Sequence, residues 1–275
     1  MLIDAHQHYW RIGENGHEWP TPDLATIYRN FAPNDWEQAA RPTGTTGSIV
    51  VQSQPSDLDT EWLLQLAVAT PSIKAVVGWT DLKAPDAVAK VARLAQQAKL
   101  KGLRPMLQNL PDDDWITDPA LDPAISAMID GGLRFDALLF TRHLSHLHGF
   151  ASRWPDLPIV IDHGAKPPIA EGVIDPWREQ MARLADLPNV MCKLSGLFTE
   201  QAPGQSREAV TPYVRHLCDL FGPERLMWGS DWPVLLLAGE YAEWYDLAGE
   251  LSGFDAEGLS QLFGGTAVRF YGIDE

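Results

Sequence analysis

The chain has 275 residues, 45% of them hydrophobic and 21% charged, which excludes a disordered, collagen-like or coiled-coil protein. Its 37 acidic residues against 21 basic ones give a net charge of −16. A surface that acidic repels phosphate backbones and anionic lipid, so neither a nucleic acid nor a membrane is an expected partner.

The N-terminus has no basic region followed by a signal-like apolar stretch. No run approaches the ~18 apolar residues of a membrane span. A cytoplasmic location is expected. Short apolar runs at residues 2–5, 48–52, 75–79, 102–107, 135–140, 158–161, 190–194 and 226–229 read as strands covered on both faces. Segments of helical period lie between them. Residues 60–70 put Trp62, Leu63, Leu66 and Ala67 on one face, and 86–98 do the same with Val88, Val91, Ala92 and Ala95. Trp177, Met181, Leu184 and Ala185 repeat the spacing, as do Val210, Val214, Leu217 and Phe221. Residues 240–251 and 256–263 read as a closing pair of helices. Strand–helix alternation of this kind makes an α/β protein with a parallel sheet. With no linker or repeat, residues 1–275 are expected to form a single domain. Irregular stretches at 11–34, 108–118, 165–172 and 199–205 follow strand ends, where barrel enzymes place their binding surface. Cys192 and Cys218 read as small buried hydrophobes, since two lone cysteines make no disulfide framework.

Three strand ends carry chemistry. Asp4-Ala5-His6-Gln7-His8-Tyr9-Trp10 closes the first strand, and alternation points His6 and His8 to one side. Two converging imidazoles bind a divalent metal or donate hydrogen bonds to a developing oxyanion. In Pro158-Ile159-Val160-Ile161-Asp162-His163-Gly164 a Val/Ile strand ends in an ionisable pair. The plainer reading is a capping Asp162 and a solvated His163. Leu226-Met227-Trp228-Gly229-Ser230-Asp231-Trp232-Pro233 runs an apolar strand into a carboxylate that serves as a general base, a metal ligand or merely a cap.

Together these motifs resemble the amidohydrolase superfamily of distorted (β/α)8 TIM barrels. With Asp162-His163-Gly164-Ala165-Lys166-Pro167 and Cys192-Lys193-Leu194-Ser195-Gly196 added, they are most similar to its amidohydrolase-2 branch. Within that branch they look like the sugar-acid lactonases, which hydrolyse aldonolactones such as L-fucono- or L-rhamnono-lactone. The resemblance runs from residue 2 to past residue 260. It implies a hydrolase of a sugar-acid lactone, a small-molecule partner, with His6, His8, His163 and Asp231 as catalytic residues and as the ligands of any metal. Asp231 would take the proton from water while the histidines polarise the carbonyl. Relatives exist with and without metal, so the resemblance implies one divalent ion, zinc or manganese, or none. Residues 135–140 contain no lysine to carry a bridging carbamate, which argues against two metals.

Trp10, Gln52, Arg104, Lys166, Lys193 and Trp232 are the candidates for reading substrate, and Gln54 and Ser195 stand at further strand ends. Each has a plainer role, since strand-end cations snorkel to water and large aromatics fill cores. His143 and His146 have a metal-ligand spacing, but no carboxylate lies near in sequence; that segment reads as a polar helix start, and Asp112-Asp113-Asp114 as a solvated turn. The alternatives are a metal-dependent decarboxylase or other hydrolase of the same branch, which carbon dioxide release would reveal, and a silent sugar-binding barrel, which would turn nothing over.

Overall fold

Eight short strands alternate with helices through the computed structural model, which describes residues 1–273. The strands are β1 Ile3–Gln7, β2 Gly47–Val51, β3 Ile73–Gly78, β4 Leu100–Leu103, β5 Arg134–Ala137, β6 Ile159–Ile161, β7 Val190–Leu194 and β8 Leu226–Trp228. One helix follows each: α1 Pro33–Ala40, α2 Asp57–Ala69, α3 Ala87–Leu94, α4 Asp122–Asp130, α5 Leu144–Arg153, α6 Trp177–Ala185, α7 Thr211–Arg225 and α8 Tyr241–Ser252. Two more, α9 Ala256–Ser260 and α10 Thr266–Tyr271, end the described chain.

The strands pair in sequence order, all parallel. Just past β8 the ring closes onto β1: His8 N donates to Trp232 O at 2.8 Å and Asp231 N to His6 O at 2.8 Å. The result is the (β/α)8 barrel that the motifs imply. No helix among the described residues is long and apolar enough to cross a membrane.

Apolar periodicity decides which helix faces turn inward. α6 buries Trp177, Met181, Leu184 and Ala185 against the strands. Truncating a side chain as large as Trp177 to alanine costs about 3–5 kcal/mol. α2 starts earlier than its apolar spacing suggests, because the Ser56 side chain caps it by accepting from Leu58 N.

The barrel interior has two layers. Ile3, Ala5, Ile49, Val51, Ala75, Val77, Val160 and Met227 form an apolar cluster with Ala267, Phe270 and Tyr271 of α10, which seals the N-terminal end. Towards the C-terminal ends of the strands the inward positions turn polar and charged. A bulge in β1 makes this switch. Pairing with β2 runs Asp4↔Ser48 and then Gln7↔Val50, so one residue is extra. Below it Ile3 and Ala5 point into the barrel; beyond it His6 and His8 do. Asp4, facing the helices, accepts from Trp36 Nε1, Tyr241 Oη and Ser230 N and Oγ. It thereby ties β1 to the segment that carries Asp231.

Candidate active site

His6, His8, His163 and Asp231 come from three strand ends and meet at the C-terminal mouth of the barrel. His6 Nε2 lies 3.2 Å from His8 Nε2. Asp231 Oδ1 lies 3.3 Å from His8 Nε2 and 3.8 Å from both His6 Nε2 and His163 Nε2. All four side chains are buried. Gly229 makes the approach possible, since a Cβ there would stand 2.7 Å from His6 Cβ. His163 and Asp231 both sit at positive φ, at 54° and 58°. Non-glycine residues held in that region mark a site where the surrounding structure enforces a costly backbone.

The outer nitrogens are held in place. His8 Nδ1 lies 2.8 Å from Val51 O; a carbonyl only accepts, so Nδ1 donates there and Nε2 is the atom turned to the other site residues. His163 Nδ1 lies 2.9 Å from Ser195 Oγ, and His6 Nδ1 lies 3.3 Å from Asp162 Oδ1 and 3.2 Å from Lys193 Nζ. Burial lowers the His6 pKa well below its ordinary value, and it pushes that of His163 down to about 4. Both imidazoles are therefore neutral at pH 7. Burial alone would raise the Asp231 carboxyl, but the histidines around it outweigh this and pull it far below the usual carboxylate range.

Three imidazole nitrogens and a carboxylate oxygen thus converge on one point. That donor set fits a divalent cation. Among the described residues His6, His163 and Asp231 bring one ligand atom each within 4.8 Å of one another. His8 Nε2 is a fourth donor, and neutral imidazole with carboxylate is a zinc-type set. The supports behind His6, His8 and His163 are of the kind that orient imidazoles for ligation.

A charged network lies beneath. Lys193 Nζ is 2.6 Å from Asp136 Oδ2 and 3.1 Å from Asp162 Oδ1, all three fully enclosed. Arg104 Nη1 lies 3.4 Å from Asp162 Oδ2 and 3.4 Å from His6 Nε2. Its Nη2 donates to Gln52 Oε1 at 2.8 Å and to the Gln52 carbonyl. Burial would raise the Asp162 carboxyl, but Lys193, His6 and Arg104 hold it well below the ordinary range.

A cavity of about 200 Å³ opens over the cluster, with His8, His163, Asp231, Arg104 and Lys166 in its wall. Trp19, Ser53, Met106, Gln108, Asn109, Leu138 and Val234 complete it. Of the residues picked to read substrate, Arg104 and Lys166 reach this wall. The other four lie behind it: Gln52 and Lys193 spend their polar atoms in the interior network. Trp10 donates its indole N–H to Arg29 O at 2.8 Å, and Trp232 packs on Tyr9 and Phe31. Sequence reasoning missed Trp19 and Asp136. Trp19 sits in an irregular stretch without periodicity, and Asp136 is one carboxylate inside an apolar strand. Near the His143 segment the structure supplies the carboxylate the local sequence lacks. Asp113 Oδ1 lies 3.1 Å from His143 Nε2 and 2.8 Å from Arg142 Nε.

A parallel (β/α)8 barrel whose C-terminal mouth gathers three imidazoles and a carboxylate defines a class, the barrel hydrolases. The chain belongs to the amidohydrolase family: residues 3–273 match the family model described as Amidohydrolase. It is 50% identical to an L-fucono-1,5-lactonase of Burkholderia ambifaria, over 99% of this chain and 96% of that one. An L-fucono-1,5-lactonase of Burkholderia multivorans is 35% identical over 100% and 97%. Among solved structures, a Burkholderia multivorans amidohydrolase crystallised with bound zinc superposes with a TM-score of 0.94 at 34% identity, each chain covered in full.

Proposed function

We propose that this enzyme opens a sugar-acid lactone, an aldonolactone of the L-fucono- or L-rhamnono- kind, by attack of water on the ring carbonyl. The observation that carries the reading is the convergence of His6, His8, His163 and Asp231 at the cavity floor. Half-identity over nearly the whole chain to a protein named L-fucono-1,5-lactonase supports a sugar lactone as substrate.

A divalent ion held by those four side chains would supply Lewis acidity towards the carbonyl oxygen. Asp231 accepts the proton of the attacking water. The transfer proceeds as the new C–O bond forms and that proton turns acidic. Asp231 then returns the proton to the ring oxygen as the C–O bond breaks, which leaves the open acid. Arg104 and Lys166 present cations in the wall, where charge builds on the carbonyl and where product carries a carboxylate.

A panel of aldonolactones assayed by proton release tests the reading. It expects turnover of at least one member; folded protein that turns over none, or that instead releases carbon dioxide from an aromatic acid, overturns it.

A further inference from the structure

The loop between β1 and α1 carries Trp19, which is half-buried at the cavity wall. It is clasped by a side chain that comes from the end of β2. Gln54, 1% exposed, accepts at Oε1 from Glu18 N at 2.8 Å and from Trp19 N at 3.3 Å, while its Nε2 donates to Trp19 O at 2.6 Å. A second hydrogen of Nε2 goes to Ser53 Oγ at 3.0 Å. The amide is thus consumed on both faces and is not available to a ligand. Gln54 is itself held, because the buried Asp59 carboxylate accepts from Ser53 N at 2.9 Å and Gln54 N at 3.1 Å.

The loop is pinned elsewhere too. Gly16, at φ 77°, lies so close to Ser56 that a Cβ would stand 2.7 Å from its Oγ. The Trp19 indole meets Trp10 edge-on at 5.4 Å. An exposed loop tip needs none of this for its own stability, and a residue free to swing would be held at fewer points. The backbone at Trp19 is held at N and O, and its indole, packed edge-on against Trp10, lines the cavity. Across the ring of strands from β1, the loops after β4, β5 and β6 bring Asn109, Leu138 and Lys166 to the same cavity. Trp19 lines one side of the cavity, while Asn109 and Lys166 bring polar groups to the other, an arrangement that suits a ring with one apolar face and a rim of hydroxyls.

We propose that Trp19 is the stacking wall for the sugar ring and that Gln54 is the positioning residue that sets it. The proposal rests on the lactone reading for the identity of the ring, and not for the clasp. Stacking acts on bound ground state and transition state alike, so its loss appears in KM more than in kcat.

The test compares Trp19→Leu, Trp19→Phe and Gln54→Met with wild type on whichever member of a panel of sugar and aromatic lactones the wild type turns over. Metal content and thermal unfolding are measured on each. Trp19→Leu is expected to raise KM about tenfold with kcat within about threefold, and Trp19→Phe to recover most of the loss, because a ring face is restored. Gln54→Met, of like size but without the amide, should raise KM similarly and speed hydrogen exchange at Glu18 and Trp19. A KM within twofold of wild type in Trp19→Leu, or equal losses in Trp19→Leu and Trp19→Phe, overturns the stacking wall. Unchanged exchange in Gln54→Met overturns the clasp. A wild type that turns over only aromatic lactones removes the proposed function, while the KM ratios still decide the role of Trp19.

Discussion

Lys193 Nζ lies 2.6 Å from Asp136 Oδ2 deep inside the barrel, with neither side chain reaching solvent. The hydroxyl of Tyr271, on α10, donates to the same carboxylate oxygen at 2.6 Å. The C-terminal helix is therefore joined through Asp136, Lys193 and Asp162 to His6. Buried ion pairs are costly to break from one side, because the partner is left charged and unsolvated. Lys193→Met should lower unfolding free energy by about 3–5 kcal/mol in urea, and adding Asp136→Asn should return part of it. A loss under about 1 kcal/mol in the single variant would contradict this account of the network.

The proposed metal site has its own readout. Purified protein supplied with zinc or manganese should hold about one equivalent of the ion. His6→Ala/His8→Ala should lose it, since the bulge in β1 brings both Nε2 atoms to the same point. Chelator should lower the melting temperature of wild type and leave that of the double variant unmoved, because an ion that binds only the folded state stabilises it. Unchanged metal content in the double variant removes these ligands.

Asp59, behind the cavity wall, gives a pH dependence of its own. Burial raises its pKa to about 6, against the hydrogen bonds from Ser53 and Gln54 that lower it. The folded state therefore keeps a proton that the unfolded chain releases near pH 4. Its contribution to stability is fully present below pH 4, falls as pH rises through 6, and is level above that. Asp59→Asn cannot ionise, so its stability should decline less than wild type between pH 4 and 7, by up to about 3 kcal/mol. Identical pH profiles for the two proteins would remove the shift.

Much of this architecture is legible in the sequence because parallel strands buried on both faces read as continuous Val, Ile and Leu runs. All eight candidate runs became strands, and the Trp177–Ala185 spacing matches α6 end to end. Boundaries were less legible. The expected helix over 256–263 gives way after Ser260 to a π turn, Gln261–Gly265. Residues 135–140 yield a strand only through Ala137, after which Leu138 and Leu139 stay buried beyond its end. At the site, the motif residues His6, His8, His163 and Asp231 were visible because each ends an apolar strand. The β1 bulge was not, since alternation alone does not say which parity faces inward. Asp136 and Lys193 become partners only when β5 and β7 close into one ring. Trp19 depends on contacts from another loop, which no local pattern encodes.

We propose that Asp231 takes the proton of water in opening a sugar-acid lactone, and Asp231→Asn tests this most directly. The substitution keeps the shape and removes the basicity. With metal content measured alongside, kcat on the best lactone of the panel should fall roughly 10²–10⁴-fold while KM changes much less. Near-normal kcat across pH 6–8 in folded Asp231→Asn protein would contradict the account.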